Sequence, residues 1–424
     1  MRLTRRAALG TAIATLALPG LARAQAKRLD ILSHRVHQQV LTQGAAGDLT
    51  APWRQANGAE LSWTTADIGP LQDRLLREAS LPSSDFGIGY LLNSRATPEV
   101  ARLLTPLDDL LRDQPVAQYD DIAPGLREAM RVNGRTIAIP VRHATNGLFY
   151  NQALLEQQGI AAPPGSFEEF LDLCRRLTFR PAGAAPVTGL VMTAALAAYP
   201  VMFARAFGGD FITLDYKVIP DPEAMTKAIA AIRGLFEAGA LPRSYATITN
   251  EDQVTWLQQG RAAFAILPFS RHAQLNRAEQ SRFPGRIQAM EMPMSTTAPA
   301  GSRMAAAVEF WSMAIPANAR DKLLAWSFLR AMSAPDVTLG AARNGNGSVR
   351  LSTYADAGFA RDNPVAAVEA EALSRARVPF PAFAEASRAE AIFVEEVQSA
   401  VLGRKEPARA VEDSAARIKP LLPA

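Results

Sequence analysis

Cysteine is almost absent from this chain. Cys174 is the one thiol in 424 residues, which excludes an intramolecular disulfide and any cysteine-built metal cluster. A chain of this length can bury large apolar cores without such staples. Beyond the first 26 residues no apolar run reaches membrane-spanning length. A Ser/Gly-rich linker, internal repeats and low-complexity blocks are missing too. Excess charge of one sign is also lacking. The whole chain carries 45 Lys+Arg against 41 Asp+Glu, but residues 1–26 hold Arg2, Arg5, Arg6 and Arg23 and no acid. The remainder therefore balances at 45 − 4 = 41 bases to 41 acids, which argues against a nucleic-acid groove or an anionic-membrane patch.

Catalytic signatures are equally scarce. There is no Gly-x-Ser-x-Gly elbow, no phosphate-binding Gly-x-x-x-x-Gly-Lys loop, no dinucleotide fingerprint and no His-Glu-x-x-His run. His34 and His37 stand at i, i+3, but no third donor of a recognisable metal motif accompanies them, so no metal and no cofactor is expected. Directly after the first strand, His34 reads instead as a loop histidine facing a cleft. Carboxylate pairs such as Asp108-Asp109 and Glu168-Glu169 read as solvated helix faces.

What is present begins with an export address. Arg2, Arg5 and Arg6 precede an apolar, alanine-rich stretch over 7–21, and Ala22-Arg23-Ala24 or Ala24-Gln25-Ala26 offers a small-x-small cleavage site. The pair Arg5-Arg6 is similar to a twin-arginine signal, with an ordinary secretory signal as the alternative. No cysteine sits at the cleavage site to carry a lipid anchor. A periplasmic location is expected.

The rest alternates strand and helix. Leu29–Ser33, Glu60–Thr64 and Asp85–Leu92 read as strands, with a helix over Leu71–Leu76 between the last two, the order of an α/β lobe with a parallel sheet. After the breaker Pro163-Pro164-Gly165, Ser166 is placed as N-cap and Glu169 as its reciprocal partner. Phe167, Phe170, Leu171, Cys174 and Leu177 follow at helical spacing. Cys174 on that stripe is a buried, inert thiol. A second helix starts at Pro222, faces Met225, Ile229, Ile232, Leu235 and Phe236 inward, and ends at Gly239. Further helices are expected over Leu323–Met332, Ala389–Leu402 and Pro407–Leu422.

Several of these segments together resemble the carbohydrate-uptake, maltodextrin-binding-like group of extracellular solute-binding proteins. Asn133-Gly134 leading to Ile139-Pro140, then Gly147-Leu148-Phe149-Tyr150-Asn151, look like that group's hairpin and crossing strand. The helix, turn and helix from Leu154 through Phe170 follow as in the group. Asp221-Pro222-Glu223-Ala224 through Gly239, Gln259 to Ile266, Trp311 to Pro316 and Ala325 to Leu329 extend the likeness over most of the chain. Pro268-Phe269-Ser270 and Val308-Glu309-Phe310 depart from the group's pattern at positions that border its ligand, which implies an unusual ligand here.

The resemblance implies an α/β, two-lobed periplasmic-binding-protein fold of type II-like form, each lobe a central sheet flanked by helices. Two or three segments would cross between the lobes, near 146–149, 265–268 and 313–316. Lobe one would then hold 27–145 plus 268–313, and lobe two 146–267 plus 314–424. It also implies a monomer that captures a sugar or sugar derivative in the interlobe cleft by hinge closure and presents it to an inner-membrane ABC permease. The alternative function is a periplasmic carbohydrate-active hydrolase or lyase. Sugars present C–H faces to aromatic rings and hydroxyls to polar groups. The candidate stacking residues are Tyr90, Tyr199, Phe269 and Trp311. His34, Asp67, Asn93 and Asn146 are polar candidates, as are Glu309 and Asn344. Arg142, His143 and Arg350, should they converge, would suit an acidic sugar.

Overall fold

The computed structural model describes residues 27–423 apart from 182 and 184, so the expected export signal over 1–26 lies outside the described residues. Ten strands organise the described residues: β1 (Lys27–Ser33), β2 (Ala59–Thr65), β3 (Ile88–Leu92), β4 (Arg131–Val132), β5 (Arg135–Thr136), β6 (Ile139–Asn151), β7 (Thr188–Val191), β8 (Ala262–Pro268), β9 (Ile287–Met290) and β10 (Val308–Ala314). β4 and β5 form a small hairpin around Asn133 and Gly134, both with positive φ, the conformation that favours Asn-Gly in a two-residue turn. The other eight make one sheet in the order β2-β1-β3-β10-β6-β8-β7, with β9 also paired to β6. β1 runs parallel to β2 and β3, and β7 parallel to β8. β10 is antiparallel to both its neighbours.

The sheet serves two lobes because β6 is thirteen residues long. Its first part pairs with β10 through Thr145, and its second part pairs with β8 and β9 from Asn146 onward. The two largest apolar clusters divide accordingly. One cluster joins Leu29 through Ile139 to Val308 through Val378. The other joins Leu148 through Ala307 to Phe383 through Ile418.

This packing corrects the expected division. Residues 268–307 belong with the second lobe, since β9 pairs with the second half of β6. Residues 314–378 belong with the first, where Trp326, Phe328 and Leu329 are fully buried. The crossings therefore fall at 145–146, 307–308 and 378–379, and the expected ones at 265–268 and 313–316 are interior to a lobe. Strand character alone shows that a segment is buried; it does not show which end of it meets the hinge.

The three crossings are tied side by side. Asn146 donates its backbone N–H and its Nδ2 to Ala307 O, at 3.0 and 3.2 Å. Val308 N–H donates to Arg377 O at 3.1 Å, and Arg377 N–H to Ala306 O at 3.0 Å. Arg205, buried in the second lobe, donates to the carbonyls of Ala305, Arg377 and Val378 and to Asp210. Behind the crossings Phe269 packs against β6, where a Cβ on Gly147 would come within 2.5 Å of its ring. Glycine at 147 is thus required by close approach.

Local signals behaved as chemistry dictates. Ser166 Oγ accepts from Glu169 N–H at 3.1 Å, although the Glu169 carboxylate reaches back to Gly165 N–H rather than to Ser166. Asp221 caps the helix Pro222–Glu237. Among the described residues no helix is long and apolar enough to cross a membrane.

Candidate functional site

Strand direction places the site. In the first lobe β1, β2 and β3 point their C-terminal ends the same way, toward His34, Asp67 and Asn93. β10 enters from that end, so Glu309 lies opposite Ala144 and two residues from the Trp311–Leu92 pair. In the second lobe β7 and β8 end facing the same gap, at the segment leading to Tyr199 and at Pro268. Carboxyl ends of strands are where open α/β sheets take their ligands.

A cavity of about 240 Å³ occupies this gap. The first lobe contributes Asn93, Ser94, Ala144 and Glu309, and the second Asn146, Tyr199, Asn250, Phe380 and Glu390. A second cavity of about 570 Å³ shares Asn93 and Phe380 with it and continues past Glu128, Arg131 and Tyr216. The walls thus come from both sides of the hinge.

Each polar wall group has a defined state. Asn93 is only 8% exposed. Its Oδ1 accepts from Phe310 N–H at 2.9 Å, which fixes the amide and leaves Nδ2 for the cavity. Tyr199 is buried, with its hydroxyl donating to Asn250 Oδ1 at 3.3 Å, and burial pushes that hydroxyl up to about 12. Glu390 accepts from Ala197 N–H at 3.3 Å, and enclosure raises its carboxyl above the usual range. Water reaches Glu309, yet protein surrounds it from both lobes. That enclosure, and then the charge of Glu390, raise its carboxyl as well.

Of the expected ligand residues the structure brings Asn93, Asn146, Tyr199 and Glu309 together in one cavity. His34 and Asp67 share the sheet end without lining it. His34 Nδ1 accepts from Val36 N–H as an N-cap, and Asp67 is exposed at the head of the helix Ile68–Ala79. Tyr90 stacks on His37 at 4.4 Å inside the first lobe, and Trp311 packs on the same His37 at 4.9 Å. Both rings are core residues, not stacking platforms. Phe269 is buried behind β6, and Asn344 ties Ala46, Val40 and Gly47 to one another. No group of three or more His, Cys, Asp or Glu side chains among the described residues could hold a metal.

The three cationic candidates do not converge. Arg142 donates to Asn346 within the first lobe. His143 lies on the other face of β6, its Nδ1 accepting from Thr145 N–H, so that Nε2–H donates to Tyr354 Oη at 2.7 Å and Tyr354 donates on to Ser348 O. Burial and the nearby Arg142 charge hold the imidazole down to about 3. Arg350 is fully buried, donating to the carbonyls of Ser333, Ala117 and Gln118. The acidic-ligand reading loses its basis.

Sequence reasoning missed Ser94, Asn250, Phe380 and Glu390. Asn250 and Glu390 lie on the helices Asn250–Gln259 and Ala386–Val401, and only the docking of the lobes turns them to the gap. Ser94, directly after Asn93, could have been found from its place at a strand end.

Comparison with known proteins agrees with this geometry. A model of the family of bacterial extracellular solute-binding proteins matches residues 92–338, more than half of the chain. A "Probable ABC transporter-binding protein" of Deinococcus radiodurans is 24% identical over 234 residues, and the chain spans about half (54%) of the length of that curated relative. Among solved structures, a solute-binding protein of Agrobacterium radiobacter K84 in complex with ribitol is 21% identical, with a TM-score of 0.73 over 93% of this chain and 99% of that one. The maltose-bound MalE3 of T. maritima is 20% identical, with a TM-score of 0.75 over 94% of this chain and 100% of that one. At such identities the structures establish the two-lobed fold, and the family match establishes membership. This chain belongs to the bacterial extracellular solute-binding proteins.

Proposed function

We propose that the chain captures a sugar or polyol in the gap between its lobes and delivers it to an inner-membrane ABC permease. The observation that carries this reading is a cavity walled from both lobes by amides, carboxylates and two aromatic rings, Tyr199 and Phe380. Amides and carboxylates match hydroxyls, and rings match C–H faces. Closing the lobes removes water from both sides of a solute, which strengthens each of these contacts. Ligand shifts the lobes only because the closed form binds it better. The relatives crystallised with ribitol and maltose support the class of solute. Members of this family bind solutes rather than transform them, so the hydrolase or lyase alternative is set aside.

We further propose export to the periplasm through the twin-arginine signal over residues 1–26, and action as a monomer; Arg5→Lys with Arg6→Lys should then leave the precursor in the cytoplasm. The central test is titration calorimetry against hexoses, disaccharides and alditols, with small-angle scattering on the saturated protein. Binding with a reduced radius of gyration is expected. Heats indistinguishable from dilution across all three classes would overturn the reading.

A further inference from the structure

The cavity between the lobes faces two carboxylates across the hinge. Glu309 comes from β10 of the first lobe, and Glu390 from the helix Ala386–Val401 of the second. Neither is in an ion pair with a described residue, and no Lys, Arg or His is among the described residues lining this cavity. Arg271, whose charge acts on the Tyr199 hydroxyl, is occupied by Glu251 at 2.6 Å and by Gln274 at 2.8 Å. Arg131 belongs to the adjoining cavity and donates to Gly134 O. The wall also holds Asn93, nine-tenths buried, whose Nδ2 has no described protein partner and is aimed into the cavity. That donor suits a hydroxyl oxygen.

Closing the lobes brings two like charges toward each other in a space that is losing its water. Such a pair needs a compensating positive charge or a proton. Enclosure already raises both carboxyls, and the charge of Glu390 raises Glu309 further. With a neutral sugar the pair must take up a proton as the gap closes; a ligand ammonium would instead convert the repulsion into attraction from both sides. Resting on the sugar-capture reading, we propose that the solute is hydroxyl-rich and cationic, an amino sugar or amino polyol whose ammonium bridges Glu309 and Glu390 while Asn93 takes a hydroxyl.

The test uses matched pairs at pH 7 and low salt: 1-amino-1-deoxyglucitol against glucitol, and glucosamine against N-acetylglucosamine. Calorimetry should show the charged member of each pair binding about tenfold or more tightly, the margin between a charge-assisted and a neutral hydrogen bond. Glu309→Gln and Glu390→Gln should each bring the ratio of charged to neutral affinity within a pair close to one, whatever either change does to hydroxyl binding itself. Circular-dichroism melts of both variants identify misfolding. Should either fail to fold, raising salt on the native protein must weaken the charged member selectively. Equal or tighter binding of the neutral members overturns the charge assignment and leaves sugar capture standing. Absence of binding by all four overturns both.

Discussion

Arg205 is the side chain through which the second lobe holds the hinge, and its removal has a calculable cost. Its guanidinium donates to Ala305 O at 3.1 Å, Arg377 O at 3.2 Å and Val378 O at 2.7 Å, and its Nε to Asp210 at 3.1 Å. In Arg205→Ala the Arg377 carbonyl keeps the Val308 N–H. Asp210 keeps Phe211 N–H and the Arg377 side chain. The carbonyls of Ala305 and Val378 lose their donor, each costing about 1–3 kcal/mol, and a buried carboxylate loses its closest cation. Together the loss is about 3–5 kcal/mol, which for a lobe of this size lowers the melting midpoint by about 10 °C. Differential scanning calorimetry on the ligand-free protein measures it. Arg233→Ala is the control: its pairs with Glu237 and Glu406 reach solvent, and exposed pairs contribute less than about 1 kcal/mol. If Arg205→Ala melts within about 2 °C of the parent, or no lower than the control, the hinge is not held in this way.

Three further outcomes follow from the same geometry. Burial raises the Glu369 carboxyl to about 7, above its unfolded value, so the native state binds the extra proton; its stabilising contribution is full below about pH 4.5 and is lost as pH rises to about 7, by no more than about 3 kcal/mol. Glu369→Gln should flatten urea midpoints across that window, and an unchanged slope would refute the assignment. Gly147→Ala should drive a Cβ into the Phe269 ring and cost about 1–3 kcal/mol, with Gly147→Ala/Phe269→Leu restoring part of it in the same melts; absence of rescue would place the strain elsewhere. Cys174 is fully buried and its thiol is pushed up by that burial, so Ellman's reagent should react only on unfolding, and fast labelling of native protein would contradict the packing.

Much of the architecture is legible in the residues because it is local. The strands β1 and β3 announce themselves by short apolar runs and β2 by alternation of polar and apolar residues, and Ser166, Asp221 and Gly239 mark helix ends by chemistry that acts over three or four residues. Asn93 and Glu309 were within reach for a related reason: the end of a strand in an α/β lobe is also the edge of its ligand gap.

Other features were decided only by tertiary packing. Arg142, His143 and Arg350 are close kin as side chains, yet one lies inside the first lobe, one behind β6 and one beneath the loop at 117–118. Alternation along β6 sends 143 and 144 to opposite faces, and nothing in the sequence says which face the second lobe covers. The lobe boundaries at 307–308 and 378–379 were hidden likewise, since the chain returns from β8 through β9 before it crosses. Glu390 became a cavity residue through the docking of one helix face. Composition and periodicity fix what each segment buries; which distant segment it is buried against depends on contacts made only once the chain has closed on itself.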